Sequence, residues 1–345
     1  MFRQGEVQLV SEADDEIRPE PHPFAHFIRT VGRGPSLSRA LTQDEAAEAM
    51  EMILHGAVEP AQLGALLVLM RYRKETPEEL AGFVQASRAS MAIPHSANAM
   101  LDWPSYADRH QQLPYFILAA RLLAENGVRV LMHGIPGKGA ASTPKALTAL
   151  GMAPSCDADD AARRMDRENF AYLPLDGFCA PLQALFEMRP VLGVRTASNT
   201  FGRMLNPFAA PCQVQGVFHP NYLQTHRAAA ALLGQRYFAA FKGGGGEVQR
   251  HPEKPCLAAT LRDGEEGEEE WPAMIEGARY PWRREPLIPA QIDALWRGEY
   301  DAEAPIAAVI GTAAIALRVL GRTDTPRQAE QIATEMWTAR RKASR

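Results

Sequence analysis

His133 follows the β-rich run at residues 128–132 and precedes Gly134. A histidine at a strand end can act as a general base or a phosphate contact, because its charge changes near neutral pH. A structural, hydrogen-bonded histidine is the plainer expectation. Lys138 lies in the loop IPGKGAAS, with Ser142 and Thr143 opening a helix behind it. An ammonium beside a helix N-terminus suits an anion, although the spacing is not that of an ATP-binding loop. Gly243–Gly246 follow a strand-like run with no helix start after them, so a mobile loop is expected there.

Basic side chains gather at four further places. Arg29, Arg33 and Arg39 flank the acid-free stretch RTVGRGPSLSR, and Arg71, Arg73 and Lys74 close a helix. Arg279-Tyr-Pro-Trp-Arg283-Arg284 interleaves cations with rings, as single-strand binders do. Arg340, Arg341, Lys342 and Arg345 end the chain. Each group taken alone is expected to be solvated charge; together they could track a phosphate backbone.

Composition bounds these readings. Hydrophobic residues make up 46% and charged residues 23% of 345, an ordinary globular balance. No apolar run is long enough to span a bilayer, and the acid-rich N-terminus lacks the apolar segment of a secretory signal. Cys156, Cys179, Cys212 and Cys256 form no Cys-x-x-Cys pair, so reduced thiols are expected and a zinc site is not. A cytoplasmic location follows as an expectation. The net charge of −4 argues against a nucleic-acid binder at first sight. Residues 1–20 carry −4 and residues 263–270 carry −6, however, which leaves +6 on the remainder. The acidic run DGEEGEEE is expected to be a solvated loop whose spacing does not suit calcium.

Helices must position the first basic groups. Thr42-Gln-Asp-Glu45 and Thr76-Pro-Glu-Glu79 are capping boxes, and Pro60 suits a first helical turn. From about residue 100 the texture changes to strands alternating with helices. Helices are expected at 113–126, 157–168, 306–320 and 325–342, and strands at 128–132, 170–174 and 236–241. Such alternation predicts an α/β fold: a small N-terminal α-helical domain and a larger α/β domain with a mainly parallel sheet. The expected division is an acidic arm at 1–23, a helical domain at 24–95 with a returning segment near 190–220, and the α/β domain at 96–189 and 221–345.

Three stretches carry a resemblance: HGAVEPAQLGALLVLMRYRKETPEELAGF at 55–83, GVRVLMHG at 127–134 and MRPVLGVRTASNTFGRMLNPFA at 188–209. Together they resemble the anthranilate phosphoribosyltransferase family (glycosyltransferase family 3) over nearly the whole chain. The resemblance implies a donor cleft between the two domains and a homodimer joined through the helical one. It assigns Arg189 to the carboxylate of the acceptor, and matches Arg195, Asn199, Gly202, Asn206 and Pro207 to the family signature. Arg203 stands where the family usually has proline and is counted as an anion-binding candidate.

Three donor-binding elements of the family are altered. Its Gly-Thr-Gly-Gly-Asp loop matches LDWPSYADRH at 101–110, with Trp103, Pro104 and Tyr106 expected in place of glycines. Its Lys-His-Gly-Asn segment keeps only His133 and Gly134. Its magnesium-binding Asp-Glu pair falls at Val248-Gln249, with Glu247 alone beside them. Residues 178–182, 219–222 and 246–248 match the YbiB-like branch more closely. That likeness implies sequence-indifferent binding of DNA or RNA without anthranilate transfer and without a cofactor. Two alternatives stay open. One is a glycosyl or phosphoribosyl transferase with an altered donor, using His133, Arg189 and Lys138, and magnesium in that case only. The other is a binding module for a small aromatic acid held by Arg189.

Overall fold

The computed structural model describes residues 20–94, 97–107, 112–137, 139–277 and 280–343, so nearly all of the expected acidic arm lies outside the described residues. Four helices open it: α1 (Ala25–Gly32), α2 (Gln43–Leu54), α3 (Pro60–Arg73) and α4 (Pro77–Ala89). Both expected capping boxes form. Glu45 N donates to Thr42 Oγ1 at 3.2 Å while Thr42 N donates to Glu45 Oε2 at 2.9 Å, and Thr76 with Glu79 repeats the exchange. Helices α2 and α4 cross at Gly82, where a Cβ would lie 2.2 Å from the Gln43 carbonyl oxygen. Only glycine allows that approach.

The larger part alternates. In chain order it holds β1 (Leu101–Ser105), α5 (Phe116–Glu125), β2 (Val130–Gly134), α6 (Thr143–Ala149), α7 (Ala158–Glu168), β3 (Phe170–Pro174), α8 (Ala180–Glu187), α9 (Arg189–Leu192) and α10 (Ser198–Phe201). It continues through β4 (Cys212–Val217), α11 (Leu223–Leu232), β5 (Tyr237–Lys242), β6 (Cys256–Arg262), β7 (Glu265–Trp271), α12 (Ala290–Arg297), α13 (Glu303–Val319) and α14 (Pro326–Ala343). The strands form one sheet in the order β3-β2-β1-β4-β5-β6-β7, parallel as far as β5 and antiparallel beyond.

Helices cover both sheet faces, so the central strands are buried throughout. One face carries Trp103, Met132 and Val214 against α5 and the Ala-rich α13. The other carries Leu131, Ala171 and Leu173 in a core continuous with α1–α4. Helices α8 and α10 return to the helical bundle, and Arg88 of α4 donates to the carbonyls of Met204 and Leu205 at 2.9 and 2.8 Å. Among the described residues no helix is long and apolar enough to cross a membrane.

Two expectations fail here. The acidic run at 263–270 is not a loop. Asp263 and Gly264, with φ of 54° and 88°, make the tight turn of a β6–β7 hairpin, and the glutamates populate the edge strand. Glu269 there pairs with Arg262 and Arg318 at 2.8 and 2.7 Å. Nor are Gly243–Gly246 a loose loop. A Cβ at Gly243 would lie 1.7 Å from the Glu247 carbonyl oxygen, so these glycines allow two backbone segments to touch.

Candidate functional site: a cationic cleft at the strand ends

The chain leaves β1 toward β2 and β3, and leaves β4 toward β5, so the strand order reverses between two neighbours at the centre of the sheet. In open α/β sheets such a reversal leaves a crevice beyond the strands' carboxyl ends, where ligands bind. Tyr106 and Ala107 after β1, His133 at the end of β2, Phe218 and His219 after β4, and Glu247 after β5 all stand at that edge.

Trp103 and Pro104 are strand residues, not loop residues, and Trp103 is buried on the far face. Trp103 therefore does not fill the crevice, because strand alternation turns its indole away from it. Tyr106 does occupy the crevice side. Its ring is fully buried against Phe186 and His133, and its hydroxyl lies 2.8 Å from His133 Nδ1.

A line of buried polar groups runs across the sheet from that contact. His133 Nε2 faces Asp102 Oδ1 at 3.1 Å, and Gln213 Nε2 donates to Asp102 Oδ2 at 2.7 Å. Gln215 Nε2 donates to Gln213 Oε1 at 2.8 Å, and Gln215 Oε1 accepts from His226 Nδ1 at 2.6 Å. Burial, with Arg203 nearby, lowers His226 to about 3, so its ring is neutral. The glutamine and His226 links are hydrogen bonds, whereas His133 Nε2 and Asp102 Oδ1 approach without completing one. His133 is thus held between two buried partners, with no exposed surface.

Glu247 ties two strand ends together by accepting from Ala107 N at 2.8 Å. Burial pushes its carboxyl up to about 7, against the opposing pull of Arg203, the Ala107 amide, Ser105 and Arg195. Arg195 donates to the Ala107 carbonyl, and Arg203 to the carbonyls of Asn199 and Gly246. Val248 is in the core, and Gln249 accepts from Phe116 N at 2.9 Å. Neither can ligate a cation, and one engaged acid does not make a magnesium pair. Among the described residues no three carboxylate, histidine or cysteine side chains gather as a metal would require.

A cavity of about 110 Å³ opens where the helical bundle meets these strand ends. Arg71 of α3, Arg195 and Arg203 supply its charge. Thr196, Asn199 and Thr200 add neutral polar groups, Phe218, His219 and Tyr222 form a further wall, and His226 closes the lining with Val217. No carboxylate lines it among the described residues.

The basic residues singled out from the sequence divide. Gly32 at the end of α1 faces Leu69 of α3, whose Cδ1 would lie 3.0 Å from an added Cβ. This contact brings exposed Arg29 and Arg33 to the same end of the bundle as exposed Arg71 and Lys74. Arg39 is committed elsewhere: it grips Glu45 through two bonds of 2.6 Å, which holds that carboxyl down to about 2. Arg73 faces buried Glu79 at 3.6 Å. Arg283 and Arg284 are exposed, but the aromatic interleaving fails. Trp282 is buried and donates to Glu253 at 3.3 Å, and Tyr280 donates to Glu285 at 3.0 Å. Arg340 is no tail residue but is buried over the Trp337 ring, 3.1 Å from its centroid. Lys138, Arg279 and the side chains of Arg341, Lys342 and Arg345 lie outside the described residues. Ser142 is buried at the N-cap of α6, and Thr143 meets Ser105 Oγ at 2.8 Å and braces β1 against α6. Arg189 is exposed on α9 and does not line the cavity.

Sequence reasoning missed Gln213, Gln215, His226, His219 and Tyr222. The two glutamines alternate within an otherwise apolar run, CQVQGV, a pattern that places both on one strand face.

The sequence matches two family profiles: glycosyl transferase family, helical bundle domain, over residues 25–91, and glycosyl transferase family, a/b domain, over residues 116–274. It is 27% identical over 250 residues to the uncharacterized protein YbiB of Escherichia coli (strain K12), covering 70% of this chain and 77% of that one. It is 30% identical over 244 residues to the anthranilate phosphoribosyltransferase of Roseiflexus sp. (strain RS-1), covering 70% of each. The fold matches the crystal structure of anthranilate phosphoribosyltransferase (TrpD) from Thermus thermophilus with a TM-score of 0.76 at 23% identity, over 93% of this chain and 96% of that one. The Saccharomyces cerevisiae enzyme, solved with PRPP and Mg, matches with a TM-score of 0.71 at 14% identity, over 93% and 95%.

Proposed function

The chain belongs to the glycosyl transferase family that joins a helical bundle to an α/β domain and includes the anthranilate phosphoribosyltransferases, and we propose that within it this protein is a non-catalytic homodimer that binds DNA or RNA through phosphates, without regard to sequence. One observation carries the reading. Arg29, Arg33, Arg71 and Lys74 converge at one end of the bundle, and Arg71 continues that basic surface into the cavity of Arg195 and Arg203. Guanidinium and ammonium groups spaced along a surface suit a phosphate backbone and carry no base information.

The strand-end edge supports the same reading. A buried tyrosine occupies the end of β1, and Val248 and Gln249 have structural partners in place of a cation. Magnesium therefore belongs only to the alternative of transfer from an altered donor, which among the described residues would draw on Glu247.

The homodimer rests on an uncovered apolar face. Ala61, Val68 and Tyr72 are exposed along α3 at helical spacing, with Gly64 and Ala65 between them. Gly64 faces Leu192, which brings exposed Val191 and Val194 beside that stripe. Small residues flanked by larger apolar ones let a second helix approach closely.

Fluorescence titration of a labelled oligonucleotide at two salt concentrations tests the function. Affinity should fall steeply with salt, with a logarithmic slope of roughly −0.7 per contacted phosphate on single strands and −0.9 on duplexes. Arg33→Ala and Lys74→Ala should each lower affinity on every sequence and reduce that slope by about one contact. Absence of binding at low salt would reject the proposal.

A further inference from the structure

We propose that the cavity of Arg71, Arg195 and Arg203 receives the terminal phosphate monoester of a nucleic-acid strand, so that the protein distinguishes strand ends from strand interiors. This inference rests on the phosphate-binding reading above and names the ligand group taken by its one recessed part.

Size and shape select the group. At about 110 Å³ the cavity is smaller than one that holds a benzene ring. A phosphoryl group can enter it. An internal phosphodiester carries a sugar on either side and cannot lead with its phosphorus into a recess walled by α3, α10 and the segment after β4. A terminal monoester presents three oxygens ahead of a single ester link.

Charge selects the same group. A monoester carries about −1.5 to −2 at neutral pH, more than the single charge of a diester. The three guanidiniums come from separate parts of the chain, α3, the turn before α10 and the turn after it, so they can surround one anion. Two buried acids lie near them. Glu247, beside Arg195 and Arg203, is raised by burial, and so is Glu75 beside Arg71. Thr196, Thr200 and Asn199 supply polar groups suited to the remaining oxygens.

The mouth suits what must follow the phosphate. Phe218 and His219 form an edge-to-face pair with centroids 4.7 Å apart, and both are exposed. A terminal base can stack on such a platform without sequence preference. Arg71 lies on the cavity and also within the exposed basic surface. A strand leaving the recess is therefore led toward Lys74, Arg33 and Arg29.

The test compares one labelled oligonucleotide bearing a 5′-phosphate, a 3′-phosphate or hydroxyls at both ends, at a single moderate salt concentration. At least one phosphorylated form should bind roughly ten- to a hundredfold more tightly than the hydroxyl form, the gain expected of a charge-assisted contact. Arg203→Gln should abolish that difference between the phosphorylated and hydroxyl forms. Because Arg203 also braces backbone carbonyls, Asn199→Ala is the second variant, and it should shrink the difference severalfold. Equal binding of all three forms overturns the end-recognition inference and leaves general phosphate binding intact. Failure of every form to bind at low salt overturns both. Displacement of the phosphorylated oligonucleotide by an equal concentration of ribose 5-phosphate overturns the nucleic-acid assignment in favour of a small phosphate ester.

Discussion

Glu247 shows how one residue can report on the cleft. Its carboxyl is raised from an ordinary 4.5 to about 7, chiefly by burial. A raised acid favours the fold while protonated. The favourable contribution is complete below about 4.5, declines as pH rises and is lost above about 7. Glu247→Gln keeps an oxygen for the Ala107 amide and cannot ionise. The variant should match the wild type in thermal stability at pH 5 and exceed it at pH 8, by at most on the order of 3 kcal/mol. Melting curves at the two pH values check this, and a constant offset at both would contradict it. His133 is different in kind: its partners were invisible in the sequence because Asp102 and Tyr106 meet it only after β1 and β2 have paired in register.

At the scale of elements, local signals were legible where the chain satisfies itself locally. Capping boxes, a proline in the first turn and glycines past helix ends specify their helices through contacts a few residues apart. The edge hairpin was not legible. Glutamate is a poor strand former, and its run became β7 only because β6 supplied a ladder and Arg262 and Arg318 supplied charge. A charged edge also discourages pairing with another sheet. The α2–α4 crossing yields a prediction at this scale. Gly82→Ala gains up to about 1 kcal/mol in helix propensity. It also forces a Cβ to within 2.2 Å of the Gln43 carbonyl oxygen, so the helices must move apart. A net loss of roughly 1–3 kcal/mol is expected from overpacking, read as a lower urea midpoint.

For the whole molecule, the uncovered stripe on α3 and the basic end of the bundle belong to the same small domain. Dimerisation through the stripe would set two basic ends in a fixed relation and extend the surface open to a phosphate backbone. Val68→Asp places a charge in the middle of the stripe, on a side chain already 42% exposed. Sedimentation equilibrium should show a dimer for the wild type and a monomer for the variant, with the fold intact by circular dichroism. A wild-type monomer at micromolar concentration would remove the dimer from the proposal. The variant monomer should bind oligonucleotide with a shallower salt dependence, since each protein then contacts fewer phosphates.

The amino-acid sequence by itself determined the helical bundle, the α/β alternation and the family, because periodicity, caps and three long motifs act over short distances or persist as patterns. Through the family resemblance it also raised the expectation that the lysine and the acid pair of a donor site are absent. Only the tertiary structure decided where the arginines lie and what each one meets. Arg39, Arg73 and Arg340 look like surface charge in the chain, yet each is engaged by a partner in the fold. Arg71, Arg195 and Arg203 become neighbours through packing of the bundle against the strand ends. Side-chain charge is written in the sequence, but its neutralisation depends on distances between residues far apart in the chain, and folding sets those distances.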